Sequence, residues 1–137
     1  MSESTPQSPK PLTLRWLPET FAVARLEPGE AVPSWAAGAQ CSFLSITRTA
    51  DELSIIAPED CVPEYATAER GFVALRIVGT LKFSEVGILA RLTCALAAAN
   101  ISVVAVSTYD TDYLLVRADD QMRAEMALRT VAAVESK

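Results

Sequence analysis

The chain is 137 residues long, half of them hydrophobic and 21% charged, with a formal net charge of −5. That composition allows a packed core and excludes global disorder. Its 12 Lys and Arg residues are scattered, which excludes the clustered basic surface that nucleic acid requires, so no nucleic-acid partner is expected.

Residues 1–11 are rich in Ser and Pro and read as a disordered tail without the apolar core of a secretion signal. Leu12, Leu14 and Trp16 alternate with Thr13 and Arg15, which predicts a strand. Pro18 interrupts it, and a second alternating run covers residues 21–26. The sequence Glu27-Pro28-Gly29-Glu30 predicts a turn. Residues 33–38 predict a short helix, with Pro33 at its first position, Gly38 at its end and Trp35 as the anchor it needs. A hairpin follows, with arms at 42–48 and 53–57 and a turn at 49–52. Residues 58–65 leave the sheet, and 66–70 form a polar connection.

The second half is more sharply punctuated. Residues 72–78 predict a strand and 79–87 a turn, followed by a helix over 88–99. Ser84 is the expected N-cap, with Glu85 near the positive helix end. Ile88, Leu89, Leu92 and Leu96 recur at helical spacing, and Cys94 is expected as a buried thiol beside them. Asn100 ends the helix, because it tolerates the left-handed conformation. Residues 101–107 and 113–118 predict strands joined by a turn at 108–112. Asp119 or Asp120 is expected to cap a last helix with its apolar stripe at Ala124, Ala127, Leu128, Val131 and Val134. Glu125 and Arg129 form an i,i+4 pair on that helix. No strand is expected after it, which leaves the unit one strand short. The N-terminal strands are expected to supply the missing partner.

Histidine is absent. This removes the commonest general base and metal ligand, along with every catalytic arrangement built on them. No enzyme activity, metal or cofactor is expected. Cys41, Cys61 and Cys94 are odd in number and lack a CxxC spacing, which argues against a disulfide framework or a zinc site. Reduced thiols point to the cytoplasm. No apolar run reaches the roughly 20 residues of a membrane span.

The turn at 79–87 carries the most definite chemistry. It presents helix N-terminal amides at the end of a strand, a place suited to a small anion such as a carboxylate. The amides of Val86, Gly87, Ile88 and Leu89 are the expected donors. Gly87 lacks a Cβ and lets a ligand approach. Asp110 or Asp112 could accept an ammonium, and Ser107 and Thr108 add hydroxyls.

The strand at 72–78, the turn Phe83-Ser84-Glu85-Val86-Gly87-Ile88-Leu89, the run Ala97-Ala98-Ala99-Asn100-Ile101 and residues 107–116 together resemble the ACT domain. This is a small ferredoxin-like module that binds amino acids and similar effectors. Residues 12–134 as a whole resemble the stand-alone tandem ACT proteins, similar to one half of the CASTOR-type arginine sensors. Val32-Pro33-Ser34-Trp35 matches that subgroup. One departure is the pair of turn positions before the glycine. They usually hold Asp and Pro, and here they are Ser84 or Glu85 and Val86, so the ligand's identity does not carry over.

The resemblance implies an α+β fold of two interleaved ferredoxin-like lobes of βαββαβ type, with antiparallel sheets and helices on one face. Residues 12–68 would form the N-terminal lobe and 69–137 the C-terminal ACT domain. It implies a non-catalytic regulatory module for a free amino acid or similar small effector, and a homodimer. The ligand would touch Ser84, Glu85, Val86, Gly87, Ile88, Leu89, Thr108, Asp110 and Asp112. Because ACT ligands lie between domains, Asn100 and Ile101 of one module would face the turn of another. The alternative is a dimerisation scaffold of the same fold without a ligand.

Overall fold

The computed structural model describes residues 11–81 and 86–135. The expected cap Ser84 and its neighbour Glu85 lie outside the described residues, as does the tail up to residue 10.

The described chain forms β1 (Thr13–Leu26), α1 (Ser34–Ala37), β2 (Ser45–Arg48), β3 (Leu53–Pro58), β4 (Ala68–Ile77), α2 (Ile88–Ala98), β5 (Val104–Ser107), β6 (Asp112–Arg117), α3 (Gln121–Leu128) and β7 (Ala133–Glu135). Short 3-10 turns at Glu59–Cys61 and Ala118–Asp120 follow β3 and β6. The strands make one seven-stranded sheet in the order β2-β3-β1-β4-β6-β5, with β7 paired to β1. Plural antiparallel sheets were expected. A single sheet is found, and its β7–β1 pair is parallel.

Several boundaries move for identifiable reasons. The two strands expected around Pro18 are one strand. From the Trp16↔Leu75 pair to the Thr20↔Val73 pair, β1 advances four residues while β4 advances two. Pro18 sits in that bulge, where no ladder hydrogen bond is asked of it. The connection expected at 66–70 is part of β4 from Ala68 on. Gly71, with φ of 79°, takes up a second irregularity, between Phe21↔Phe72 and Val23↔Glu69. Pro33 caps α1 from outside instead of opening it.

Period-two alternation sorts the core onto two faces. On one face Leu14, Trp16, Val73, Leu75, Ile77, Leu114 and Val116 pack with Leu92 and Leu96 of α2 and Ala124 and Leu128 of α3. The register puts Ala22, Ala24, Leu53, Ile55 and Ala57 on the same face, where Ala36 of α1 covers them. All three helices therefore lie on one side. On the other side Phe43 packs with Phe21, Phe72, Ala74 and Leu115. Its ring meets Phe21 edge-on at 6.0 Å and Tyr113 at 4.3 Å.

Val134 is not the end of a helical stripe. The helix stops at Leu128, and Val134 is the buried middle residue of β7, which lies against Leu14. The second half thus has its final strand. Three residues are too few to show a period-two signal, and one buried valine fits either periodicity. Cys94 is exposed, contrary to expectation. Leu92 and Leu96 face the core, and a residue midway between them on a 3.6-residue turn points away.

Trp16 anchors the last helix. Its ring is buried, and its Nε1–H donates to Glu125 Oε1 at 2.7 Å. Glu125 also accepts from Arg129 at 3.1 Å, the expected i,i+4 pair. The indole hydrogen bond above all, with help from Arg129, holds the Glu125 carboxyl below its ordinary value of 4.5 against the opposing effect of burial. On acidification the unfolded chain therefore takes up this proton first. The stabilisation is full above the ordinary carboxylate range and is lost as pH falls through the lowered value. Glu125→Ala should cost about 1–2 kcal/mol at pH 7, the range for a hydrogen bond to a partly exposed charge. Urea titration should show the difference from wild type shrinking toward pH 3. A pH-independent difference would refute the assignment.

Candidate functional site

α2 is bounded at both ends by positive φ. At its start Gly87, the N-cap residue, has φ of 83° and no side chain of its own to cap the helix. At its end Asn100 has φ of 59°. There the N–H of Asn100 donates to Ala97 O at 2.9 Å and the N–H of Ile101 donates to Leu96 O at 3.0 Å, the two bonds of a Schellman cap. Ile101 is buried in the same cluster as Leu96. Asn100 and Ile101 therefore serve the far end of α2, about 16 Å from its start at 1.5 Å per residue. Within one chain they are not brought to the turn.

The first intrahelical bond runs from the Arg91 N–H to Gly87 O, at 2.9 Å. The amides left without helical partners are therefore those of Gly87, Ile88, Leu89 and Ala90. That set is one residue later than expected. Val86, 92% exposed, is not among the residues that line the cavity at this helix start, whereas Ala90 is.

These four residues line one wall of a cavity of about 280 Å³. The β5–β6 turn, with Thr108, Asp110 and Asp112 among its residues, supplies the other wall, and Leu81 also lines the cavity. The structure thus brings Gly87, Ile88, Leu89, Thr108, Asp110 and Asp112 together. Thr111 and Leu81 were missed. Thr111 is a buried polar residue whose position in a turn gave no hint of burial. Leu81 is one apolar residue in a long turn.

Hydrogen bonds fix the second wall. The Thr108 N–H donates to Thr111 O at 2.8 Å, and the Leu81 N–H donates to Asp110 O at 2.7 Å. Thr111 Oγ1 donates to Ile77 O at 2.9 Å and ties the turn to the end of β4. Ser107 Oγ donates to Asp112 Oδ1 at 2.5 Å, which orients one carboxylate. Asp110 is exposed at the rim. The amide wall carries the positive end of the α2 dipole, and the turn wall carries two carboxylates. Among the described lining residues none is a cation, so the donors they offer an anionic group are amides and hydroxyls. Among the described residues no cluster of His, Cys, Asp and Glu could hold a metal ion, and no helix is long and apolar enough to cross a membrane.

Comparison with known proteins gives the following. Residues 67–130 match a family model described as the ACT domain. Residues 19–65 match another described as an N-terminal domain. A protein from Agobacterium tumefaciens is 32% identical, with a TM-score of 0.86 over 93% of this chain and 95% of that one. The aspartate kinase of Clostridium acetobutylicum is 15% identical, with a TM-score of 0.64 over 86% of this chain and 33% of the enzyme. The regulatory subunit of aspartate kinase from Thermus thermophilus is 12% identical, with a TM-score of 0.58 over 82% of this chain and 93% of the subunit. The last two likenesses are of fold. Among curated proteins none matches.

Thr111→Val should remove the buried tie between the turn and β4 and cost about 1–2 kcal/mol, whereas Thr111→Ser should retain most of that stability. Equal losses in urea titrations of the two variants would show that the hydroxyl is not the tie.

Proposed function

Because this chain carries an ACT domain at residues 67–130 and belongs to the family of the Agobacterium protein, we propose that it is a non-catalytic regulatory module for a free amino acid or a similar small zwitterion. The observation that carries the reading is the juxtaposition of opposite charge in one cavity. The amides of Gly87 to Ala90 stand on one wall and Asp110 and Asp112 on the other. A carboxylate would take the amides. An ammonium would take Asp110 or the remaining valences of Asp112. A regulatory subunit and a kinase of similar fold support a role in which occupancy of the module is the signal.

Two lobes share the central strands in this proposal. The set β2-β3-β1-β4 belongs to residues 12–68 with the start of β4, and the set β1-β4-β6-β5 belongs to the C-terminal domain with β1 lent to it. This interleaved tandem is the arrangement that resembles one half of the CASTOR-type sensors. β2 and β5 are the ends of the sheet, and such edges invite pairing with a second copy. In a homodimer, Asn100 and Ile101 of the second copy would face the turn at 86–89 and complete the site, together with Ser84 and Glu85. Three free thiols suit a cytoplasmic location.

A thermal-melting panel of the twenty amino acids at millimolar concentration tests the binding. One or a few should raise the melting temperature by several degrees, since a ligand at 100 times its Kd adds about 2.7 kcal/mol to stability. The shift should vanish in Gly87→Val and in Asp112→Ala. A panel without any shift, or a shift untouched by both variants, overturns the reading.

A further inference from the structure

A second cavity of about 320 Å³ lies in the N-terminal half, and its chemistry differs from that of the first. It is bounded by the end of β1, the turn after it, the start of α1 and residues 65–67 leading into β4. Trp35 is half-buried at its wall, and Tyr65 is 87% exposed beside it. Tyr65 belongs to none of the apolar clusters of the core, so packing does not account for an aromatic ring at this point.

The charges are arranged around the rings. Arg25 is engaged twice: its Nη1 donates to Glu27 Oε1 at 3.3 Å and its Nη2 to Asp51 O at 3.0 Å. Its backbone N–H donates to Thr67 O at 2.9 Å, which joins the two margins of the cavity. Glu30 is held in place because its Oε2 accepts the Glu27 N–H at 2.7 Å, while the Glu30 N–H donates to Glu27 O at 3.1 Å. Glu27 thus pairs with the Arg25 guanidinium, while Arg48 donates to Pro28 O in the same turn and the Glu30 carboxylate has no ion-pair partner among the described residues. The Oε1 of Glu30 and the Oε2 of Glu27 keep their acceptor capacity. Fixed carboxylates next to aromatic faces are the chemistry that receives an organic cation.

We propose that this cavity is a separate recognition site for an alkylammonium or alkylguanidinium group, seated against Trp35 and Tyr65 with its charge toward Glu30. The cation arrives either as a free small molecule or as the end of a Lys or Arg side chain. The site needs neither the α2 amides nor Asp110, so it stands or falls independently of amino-acid binding at the first cavity.

The test uses probes without a carboxylate, which the amide wall of the first cavity cannot hold. n-Butylguanidinium chloride represents the free cation, and an N-acetylated, C-amidated Gly-Arg-Gly peptide represents the side chain. The emission of Trp35 and the amide resonances of Glu30 and Thr67 report binding. At least one probe should saturate both signals, and the tighter of the two identifies the source. n-Butanol at the same concentration should leave both signals unchanged. Trp35→Phe should abolish the emission change. Glu30→Gln and Tyr65→Ala should each weaken binding about two- to fivefold, the range for a cation at an exposed aromatic site, and Asp110→Asn should not alter it. The proposal is overturned if neither probe saturates the signals, if n-butanol reproduces them, or if Glu30→Gln and Tyr65→Ala bind the probes as wild type does.

Discussion

β1 and β4 run side by side from Leu14↔Ile77 to Ala24↔Ala68, and no other part of the molecule can be placed without that pair. Each strand is long enough to carry a different neighbour set along its outer edge. The outer edge of β1 is divided, with β7 taking residues 13–15 and β3 taking residues 21–26. The outer edge of β4 goes to β6 through Phe72 to Arg76. The helices follow, because one face of this pair presents Trp16, Leu75 and Ile77 to α2 and α3 and presents Ala22 and Ala24 to α1. Small alanines under α1 let a helix of barely one turn approach closely. Large side chains under α2 and α3 give the longer helices their footing.

The ladder also explains where the irregularities sit. A strand of 14 residues with a proline inside it cannot keep every hydrogen bond, so the mismatch is collected between Trp16 and Thr20. The compensating irregularity at Gly71 keeps Ala24 opposite Ala68. Between these two points Phe21 and Phe72 meet directly across the strands, and Arg117 lies over the Phe72 ring at 4.5 Å. The helix-free face is thereby closed by aromatics and the guanidinium of an arginine, with Phe43 packed among them.

The cavity at α2 is a consequence of the same frame. Ile77 ends β4 and receives the Thr111 hydroxyl, so the β5–β6 turn is fixed relative to the strand that leads toward α2. The helix is fixed by its buried Leu92 and Leu96 and by its Schellman cap. Two independently anchored walls then face one another. The positive φ at Gly87 turns the chain into the helix beside the cavity, so the first-turn residues stand along its wall.

Much of this was legible in the residues, for local reasons. The Pro33–Gly38 spacing marked α1, the 3.6-residue recurrence of Leu92 and Leu96 marked α2, and Asn100 marked its end, because each signal is a property of a few adjacent residues. The Gly87 turn and Asp110 and Asp112 could be picked out as candidate chemistry for the same reason. What the residues alone could not place depends on contacts between distant segments. Pro18 reads as a break until a partner strand shows that a bulge absorbs it. Val134 reads as a helical position until Leu14 supplies the edge that makes it a strand. Glu125 reads as half of a surface pair until Trp16, 109 residues away, reaches it with an indole N–H. The amide set moved by one residue, since the first intrahelical bond, and not the cap residue expected from composition, defines where a helix begins. The sequence by itself thus determined the type of the longer strands and helices, though not of β7, and where positive φ is tolerated, because those choices rest on neighbouring side chains and backbone sterics. Only the tertiary structure decided which edges pair, which turn is buried and which polar groups share a cavity, because those outcomes depend on the register of segments far apart along the chain.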